Sequence, residues 1–220
     1  MSLLMFMHQE KSALILTDTL ATTPAGEPFM FHSKAWVIPH MNMAVAITGI
    51  ANFGAKWNEF LRNSLIACDV DMVDQFAPEQ LRQIWAELLD EFELDGEPTA
   101  TIYHFGFPSE SEQLVRYVYR STSNFESERW EQPGFGIKPE PEGTLQVPTD
   151  FDEWVDLAKH VRAEQDELPA DKRIYIGGEL YLLLIQNWQS QLVRLYRFDD
   201  YEQAWLDMND RLHASQEIRY

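Results

Sequence analysis

The sequence predicts an α+β fold in which two β-sheets pack face to face between outer helices, a four-layer αββα sandwich. Three observations predict it. Strand-like runs fill residues 1–50, two segments of helical periodicity follow, and further strands then alternate with two more helices. Strand runs separated from helix pairs suggest two sheets packed face to face with helices on the outside. A length of 220 residues suits one domain, and we expect residues 1–220 to form it.

Residues 1–50 are predicted to form strands. Two short apolar runs joined by a polar pentapeptide have the pattern of a hairpin, and a loop rich in threonine, proline and glycine follows. Two more apolar runs come next, and Gly49 ends the second. The predicted strands are residues 3–8, 13–17, 34–38 and 43–48. Ser2 and Lys34 therefore stand at strand beginnings.

The rest of the chain alternates helices with strands. Apolar residues recur at helical spacing in two early segments, and Asp150 with Glu153 forms a capping box that opens a third helix. A fourth follows Asp199 and Asp200. The predicted helices begin near residues 53, 81, 150 and 201, and the strands cover 99–107, 114–121, 125–130, 180–185 and 192–198. Residues 133–148 hold four prolines and three glycines and are predicted to form a loop.

Composition and charge exclude several classes of function. A net charge of −19 opposes binding to nucleic-acid phosphates or to an anionic membrane surface. No apolar run approaches the roughly 18 residues that a transmembrane helix needs, and residues 3–7 are too short for a signal peptide. The single cysteine, Cys68, cannot form an internal disulfide and is expected to be a buried apolar side chain. We expect a cytoplasmic protein.

Ser2, Asp18 and Lys34 are the candidate catalytic residues. Removal of Met1 would leave a hydroxyl and a free α-amine on Ser2, and an amine with a pKa of roughly 7.7–8.0 can accept the hydroxyl proton. A buried lysine would keep that amine neutral, and an aspartate would hold the lysine in place. Residue types this common also occur together without any catalytic role.

Three segments make the chain resemble a known family. Residues 2–6 begin a strand with a small hydroxyl residue, residues 13–22 end a strand in Asp18 before an Ala-Thr turn, and residues 34–51 join a lysine strand to an apolar strand and a glycine turn. Asp18 and Lys34 follow Ser2 by 16 and 32 residues. In these features the chain resembles the proteasome β-subunit-like branch of the N-terminal nucleophile hydrolases, which includes the peptidase rings of proteasomes and of the bacterial ATP-dependent two-component protease.

The resemblance implies a role for each matching residue. Ser2 would be nucleophile and, through its amine, general base, and Lys34 would donate to Ser2 while Asp18 orients Lys34. Gly49 N–H would form the oxyanion hole. Asp166 would correspond to a later aspartate near the amine, and residues 177–178 to the glycine turn after it. The family nucleophile is typically threonine, and its serine-glycine-serine turn has no clear counterpart, residues 134–136 being the nearest loop.

The implied function is hydrolysis of an amide or peptide bond without metal or organic cofactor, in a protein that self-associates, as ring-forming relatives do. Two other functions stay open: a catalytically inactive structural or interaction subunit of the same fold, and an unrelated α+β binding module. His32 and His40 lack the spacing of a zinc site. Asp69, Asp71 and Asp74 are typical of a helix start rather than of a calcium loop.

Overall fold

The computed structural model describes residues 2–23, 25–92 and 98–217. Within these ranges the protein is α+β, with three antiparallel sheets and five α-helices, which confirms the α+β part of the prediction. The strands are β1 Leu4–His8, β2 Ser12–Asp18, β3 Leu20–Thr22, β4 Pro28–Phe31, β5 Ala35–Ile38, β6 Met43–Thr48, β7 Thr101–Gly106, β8 Val115–Arg120, β9 Ser127–Trp130, β10 Gly134–Lys138, β11 Glu179–Gln186 and β12 Gln189–Arg197. The helices are α1 Ala51–Asn63, α2 Val70–Asp74, α3 Ala77–Phe92, α4 Phe151–Glu167 and α5 Tyr201–Glu217.

Two five-stranded sheets contain most of the strands. The first has the order β10-β1-β2-β11-β12 and the second the order β5-β6-β7-β8-β9, while β3 and β4 form a separate ribbon. Each neighbouring pair is antiparallel, beginning with Leu4 opposite Thr17 in the β1–β2 hairpin. This order makes β1 a neighbour of both β2 and β10, so the start of β1 lies between the ends of two strands.

Strand β1 is buried on both faces, in keeping with the apolar run of residues 3–7. Side chains alternate between the two faces of a strand. Leu4 and Phe6 pack against residues of the second sheet such as Phe105, whereas Leu3 and Met5 pack on the other face in the cluster that contains Trp154 of α4. The outer face of the second sheet is covered by residues of α1 and α3.

Strand β10 lies where the sequence predicted a loop. Prolines and glycines normally interrupt strands, yet Gly136 pairs with Phe6 of β1 in a continuous antiparallel ladder. A Cβ atom on Gly136 would lie 2.3 Å from the Phe6 ring, so the ring occupies the space that a side chain would fill. The loop prediction for residues 134–138 was wrong because the strand forms by pairing with β1, which lies far away in the sequence and so leaves no local signal.

The aspartates after Cys68 begin a short helix, as their spacing indicated. The Asp69 carboxylate accepts a hydrogen bond of 2.8 Å from Met72 N and so caps α2. Asp150 caps α4 in the same way, accepting from Glu153 N at 2.9 Å, which confirms the predicted helix start. Cys68 itself is exposed, so the expectation that it is buried was wrong.

None of the helices in the described ranges is both long enough and apolar enough to cross a lipid bilayer.

A buried histidine lies in the core of the second sheet. His104 of β7 is fully buried, and its Nε2 accepts a hydrogen bond of 2.8 Å from the indole N–H of Trp57 in α1. Burial lowers the pKa of His104 to about 3, so the ring stays neutral in the folded protein. An unfolded histidine takes up a proton near pH 6.5.

Because the pKa of His104 is lower in the folded than in the unfolded protein, we expect His104 to make the protein less stable in acid. Between pH 6.5 and pH 3 the unfolded state binds a proton that the native state does not, so the free energy of unfolding falls as the pH falls. At pH 5 the loss should be about 2 kcal/mol. His104→Gln keeps an acceptor for Trp57 without titrating. Urea unfolding at pH 7.5 and pH 5 should therefore show a smaller decrease for the variant, and equal decreases would contradict this origin.

Candidate active site

A buried ion pair joins the end of β2 to the residue before β5. Lys34 Nζ lies 2.7 Å from Asp18 Oδ1, and the two side chains are 2% and 0% exposed. Lys34 Nζ also donates to the carbonyl oxygen of Leu20, at 2.6 Å. Because desolvation of two charges costs several kcal/mol per ion, a buried pair needs good geometry and additional hydrogen bonds. This pair has both.

Both carboxylate oxygens of Asp18 are hydrogen-bonded. Oδ1 accepts from Leu3 N at 3.0 Å as well as from Lys34, and Oδ2 accepts from Gly177 N at 3.1 Å. Asp18 therefore connects the residue before β1, the lysine before β5 and the loop before β11. Its carboxylate fixes the positions of the Leu3 amide and the Lys34 ammonium relative to each other.

The ammonium group of Lys34 is electrostatically unusual. Burial lowers its pKa below the ordinary value, and Asp18 acts in the opposite direction. An ammonium carries three N–H donors. Among the described residues it uses two of them, on Asp18 and Leu20. One donor thus remains without a partner among the described residues.

Ser2 adjoins this cluster. It is 5% exposed and directly precedes Leu3, whose amide shares Asp18 Oδ1 with Lys34. Ser2 is therefore bonded directly to Leu3, whose amide and the Lys34 ammonium both donate to the same oxygen of Asp18. The structure brings three of the sequence-predicted residues, Ser2, Asp18 and Lys34, into one buried region.

Gly49 follows β6 at the same end of the sheets. Its φ of +115° is a conformation that residues with a Cβ rarely adopt, and a Cβ there would lie 2.3 Å from the Thr99 carbonyl oxygen. β5 and β6 are paired, and Ile47 N donates to Lys34 O at 3.0 Å. Glycine is therefore required at position 49, which lies two residues after the Ile47 amide that is hydrogen-bonded to Lys34.

Asp166 is not hydrogen-bonded to this cluster in the part of the chain that the structure describes. It lies inside α4, which extends to Glu167, and its side chain is 49% exposed. Its carboxylate lies 3.5 Å from Arg162 Nε and 3.7 Å from Arg173 Nη1. The glycine turn that was predicted to follow it does reach the site, through Gly177 N.

His32 is a neighbour of the site to which sequence reasoning gave no role. Its Nδ1 lies 2.8 Å from the Ser33 carbonyl oxygen, and its Nε2 is buried without a partner among the described residues. Burial and then the Lys34 charge lower the pKa of His32. In the sequence, only its position two residues before Lys34 could have placed His32 near the site. That position alone is not enough, because the local sequence does not show that Lys34 is buried.

No group of three His, Cys, Asp or Glu side chains within the described ranges is arranged to hold a metal ion. The aspartates near Cys68 have protein partners instead. Asp69 also accepts from Ser109, and Asp71 accepts from Tyr117 and Arg129. These carboxylates support α2 and its contacts with the second sheet.

Comparisons with known proteins found similarity in structure alone. Neither a family model nor a curated protein matches the sequence. Anbu, the ancestral beta-subunit, from Yersinia bercovieri matches with a TM-score of 0.61 at 11% identity, over 98% of this chain and 95% of that one. A helical assembly of the Anbu complex from Pseudomonas aeruginosa gives 0.64 at 11%, over 99% and 95%. An Anbu Gly-1 mutant from Hyphomicrobium sp. strain MC1 gives 0.60 at 10%, over 99% and 97%.

These matches correct the assignment made from sequence. Placing the chain in the proteasome β-subunit-like branch, with its peptidase rings, was wrong, because the matching structures are Anbu proteins, a proteasome-like family. In this chain the separations of 16 and 32 residues follow from the lengths of the first strands and their loops, and by themselves they do not identify a branch. At identities of 10–11% the matches show the fold alone.

Proposed function

We propose that this protein hydrolyses an amide or peptide bond with Ser2 as nucleophile and the α-amine of Ser2 as general base, once Met1 has been removed. The observation that carries the proposal is the shared oxygen of Asp18, which accepts from Lys34 Nζ at 2.7 Å and from Leu3 N at 3.0 Å. A fully buried charge pair beside a buried hydroxyl is a typical catalytic environment. An ion pair on the protein surface, by contrast, forms without such burial.

The roles follow from the donors and acceptors present. The free amine would take the Ser2 hydroxyl proton as Oγ attacks the acyl carbon, and it would then protonate the leaving amine. The remaining N–H of Lys34 would stabilise the developing charge on Ser2 Oγ. Gly49 N–H would donate to the tetrahedral oxyanion. Water, activated by the same amine, would then release the acyl group from Ser2.

The proposal extends to architecture and assembly. We propose one domain over residues 1–220 with layers in the order αββα, supported by a core between the two sheets and by helices that pack on both outer faces. Self-association is also proposed, because one structural neighbour is described as a helical assembly. The cytoplasm is the proposed compartment, since exposed Cys68 would remain reduced there.

Covalent labelling tests the nucleophile. An electrophile that closes a ring on both a hydroxyl and its neighbouring amine should label the wild-type protein once, at Ser2, because only an N-terminal residue offers both groups. Ser2→Ala should remain unlabelled, whereas Ser2→Thr, which keeps hydroxyl and amine, should react. Intact mass with peptide mapping measures both the adduct and the loss of Met1.

The same measurement has an outcome that contradicts the proposal. A wild-type protein that has lost Met1, is folded by circular dichroism and still does not react would favour the inactive structural subunit. Complete retention of Met1 would also exclude the mechanism, since the amine would then belong to the wrong residue. Ser12→Ala, at a partly buried strand start far along the chain from Ser2, is the matched control and should label like the wild type.

A further inference from the structure

A cavity lies farther along β1 and opens between the two sheets. It has a volume of about 330 Å³, within the range of small-molecule sites. One wall comes from β1 and β10 and the other from β7, β8 and β9. Its polar lining includes three cationic side chains, Arg116, Arg120 and Lys138. A concentration of positive charge is unexpected in a chain whose net charge is −19.

Arg116 is the central residue of this cavity. It is 9% exposed, and its Nε has no hydrogen-bond partner among the residues described here. The guanidinium lies over the Phe6 ring, 4.5 Å from its centroid, and 5.3 Å from that of Trp130. Rings that cover the guanidinium faces leave its edge for acceptors lying in the same plane. A buried, unpaired N–H costs free energy unless a ligand or water meets it.

The other charges leave one positive charge in excess. Arg120 forms an ion pair with Glu128, and Lys138 Nζ donates to Thr101 Oγ1 at 3.3 Å. Glu140 also lines the cavity, so it offsets only one of the two remaining cations, Arg116 and Lys138. Burial lowers the pKa of Lys138 and brings that of Arg116 to about 10, so Arg116 remains charged at neutral pH.

We infer that this cavity binds a small monocarboxylate that carries an apolar group. The planar edge of Arg116 matches the two oxygens of a carboxylate, and a single negative charge would neutralise the excess. Leu4, Val118 and Ile137 supply apolar walls for the rest of the ligand. The inference does not rest on the proposed hydrolase function, because the cavity and its charges exist whether or not Ser2 reacts.

Titration calorimetry with three probes of similar size tests the inference. Phenylacetate should bind saturably with a stoichiometry of one, and its neutral analogue phenylacetamide should not bind. Phenyl phosphate distinguishes a carboxylate site from a phosphate site, and we expect it to bind more weakly than phenylacetate. Tighter binding of phenyl phosphate, or no saturable binding of phenylacetate, would overturn the inference.

Variants locate the binding to the cavity. Arg116→Met should weaken phenylacetate binding by roughly ten-fold to a hundred-fold, the effect of losing hydrogen bonds to a charged group. Arg62→Met, at an exposed position of α1, is the matched control and should bind like the wild type. If Arg116→Met does not fold, Lys138→Met, which changes another cationic lining residue of the same cavity, provides the test and should also weaken phenylacetate binding. Unchanged affinity in the folded variants would place the carboxylate elsewhere and refute the inference.

Discussion

Replacing Asp18 by alanine should lower the free energy of unfolding by about 3–5 kcal/mol, the usual effect of removing one member of a buried ion pair. The substitution leaves the Lys34 ammonium buried without its carboxylate, and it also removes the acceptor of Leu3 N and Gly177 N. Three segments of the chain would lose their common partner at once. Urea unfolding at pH 7.5 measures the effect.

A double-mutant cycle separates the ion pair from the rest of the site. Lys34→Met removes the charge and keeps an apolar stem, so the double variant should be less destabilised than the sum of the single variants. The exposed pair of Lys11 and Glu112, 3.0 Å apart with side chains 65% and 76% exposed, is the matched control. Glu112→Ala should change stability far less than Asp18→Ala does, because solvent screens an exposed pair. An Asp18→Ala effect equally small would mean that the buried pair does not hold the site together.

The positions of the candidate residues along the chain could be predicted because each stands at a strand boundary. Asp18 ends β2, Lys34 directly precedes β5 and Gly49 follows β6, and the apolar runs that define those strands are local features of the sequence. The partner of Asp18 Oδ2 could not be predicted. Gly177 lies 159 residues farther along the chain, and only the pairing of β11 with β2 brings it to Asp18.

The carboxylate cavity was hidden for a related reason. Arg116 lies in a strand that the sequence did predict, where an arginine is ordinarily a solvent-exposed residue of the polar face. It is buried because β10 extends the first sheet across it, and β10 was the strand that the prolines and glycines concealed. Because β10 was predicted to be a loop, the sequence also provided no indication of the cavity around Arg116.

Gly49→Ala should affect both stability and the reactivity of Ser2. A residue with a Cβ at φ +115° carries roughly 1–3 kcal/mol of strain. The new methyl group would also lie 2.3 Å from a backbone oxygen, that of Thr99, which cannot rotate away. The local backbone must therefore shift, and we expect a total loss of about 4 kcal/mol in the free energy of unfolding.

Gly143→Ala isolates the contribution of the contact. Gly143 also has a positive φ, +85°, but no atom lies within 4 Å of the position of its Cβ, so this variant carries strain without a collision. It should lose less stability than Gly49→Ala and label at the wild-type rate. Under the proposed mechanism, displacement of Gly49 N–H should slow labelling of Ser2 roughly 10²–10³-fold. The labelling rates of the two variants should be measured at a temperature below the unfolding midpoint of each. Equal rates for Gly49→Ala and Gly143→Ala would show that Gly49 N–H does not form the oxyanion hole.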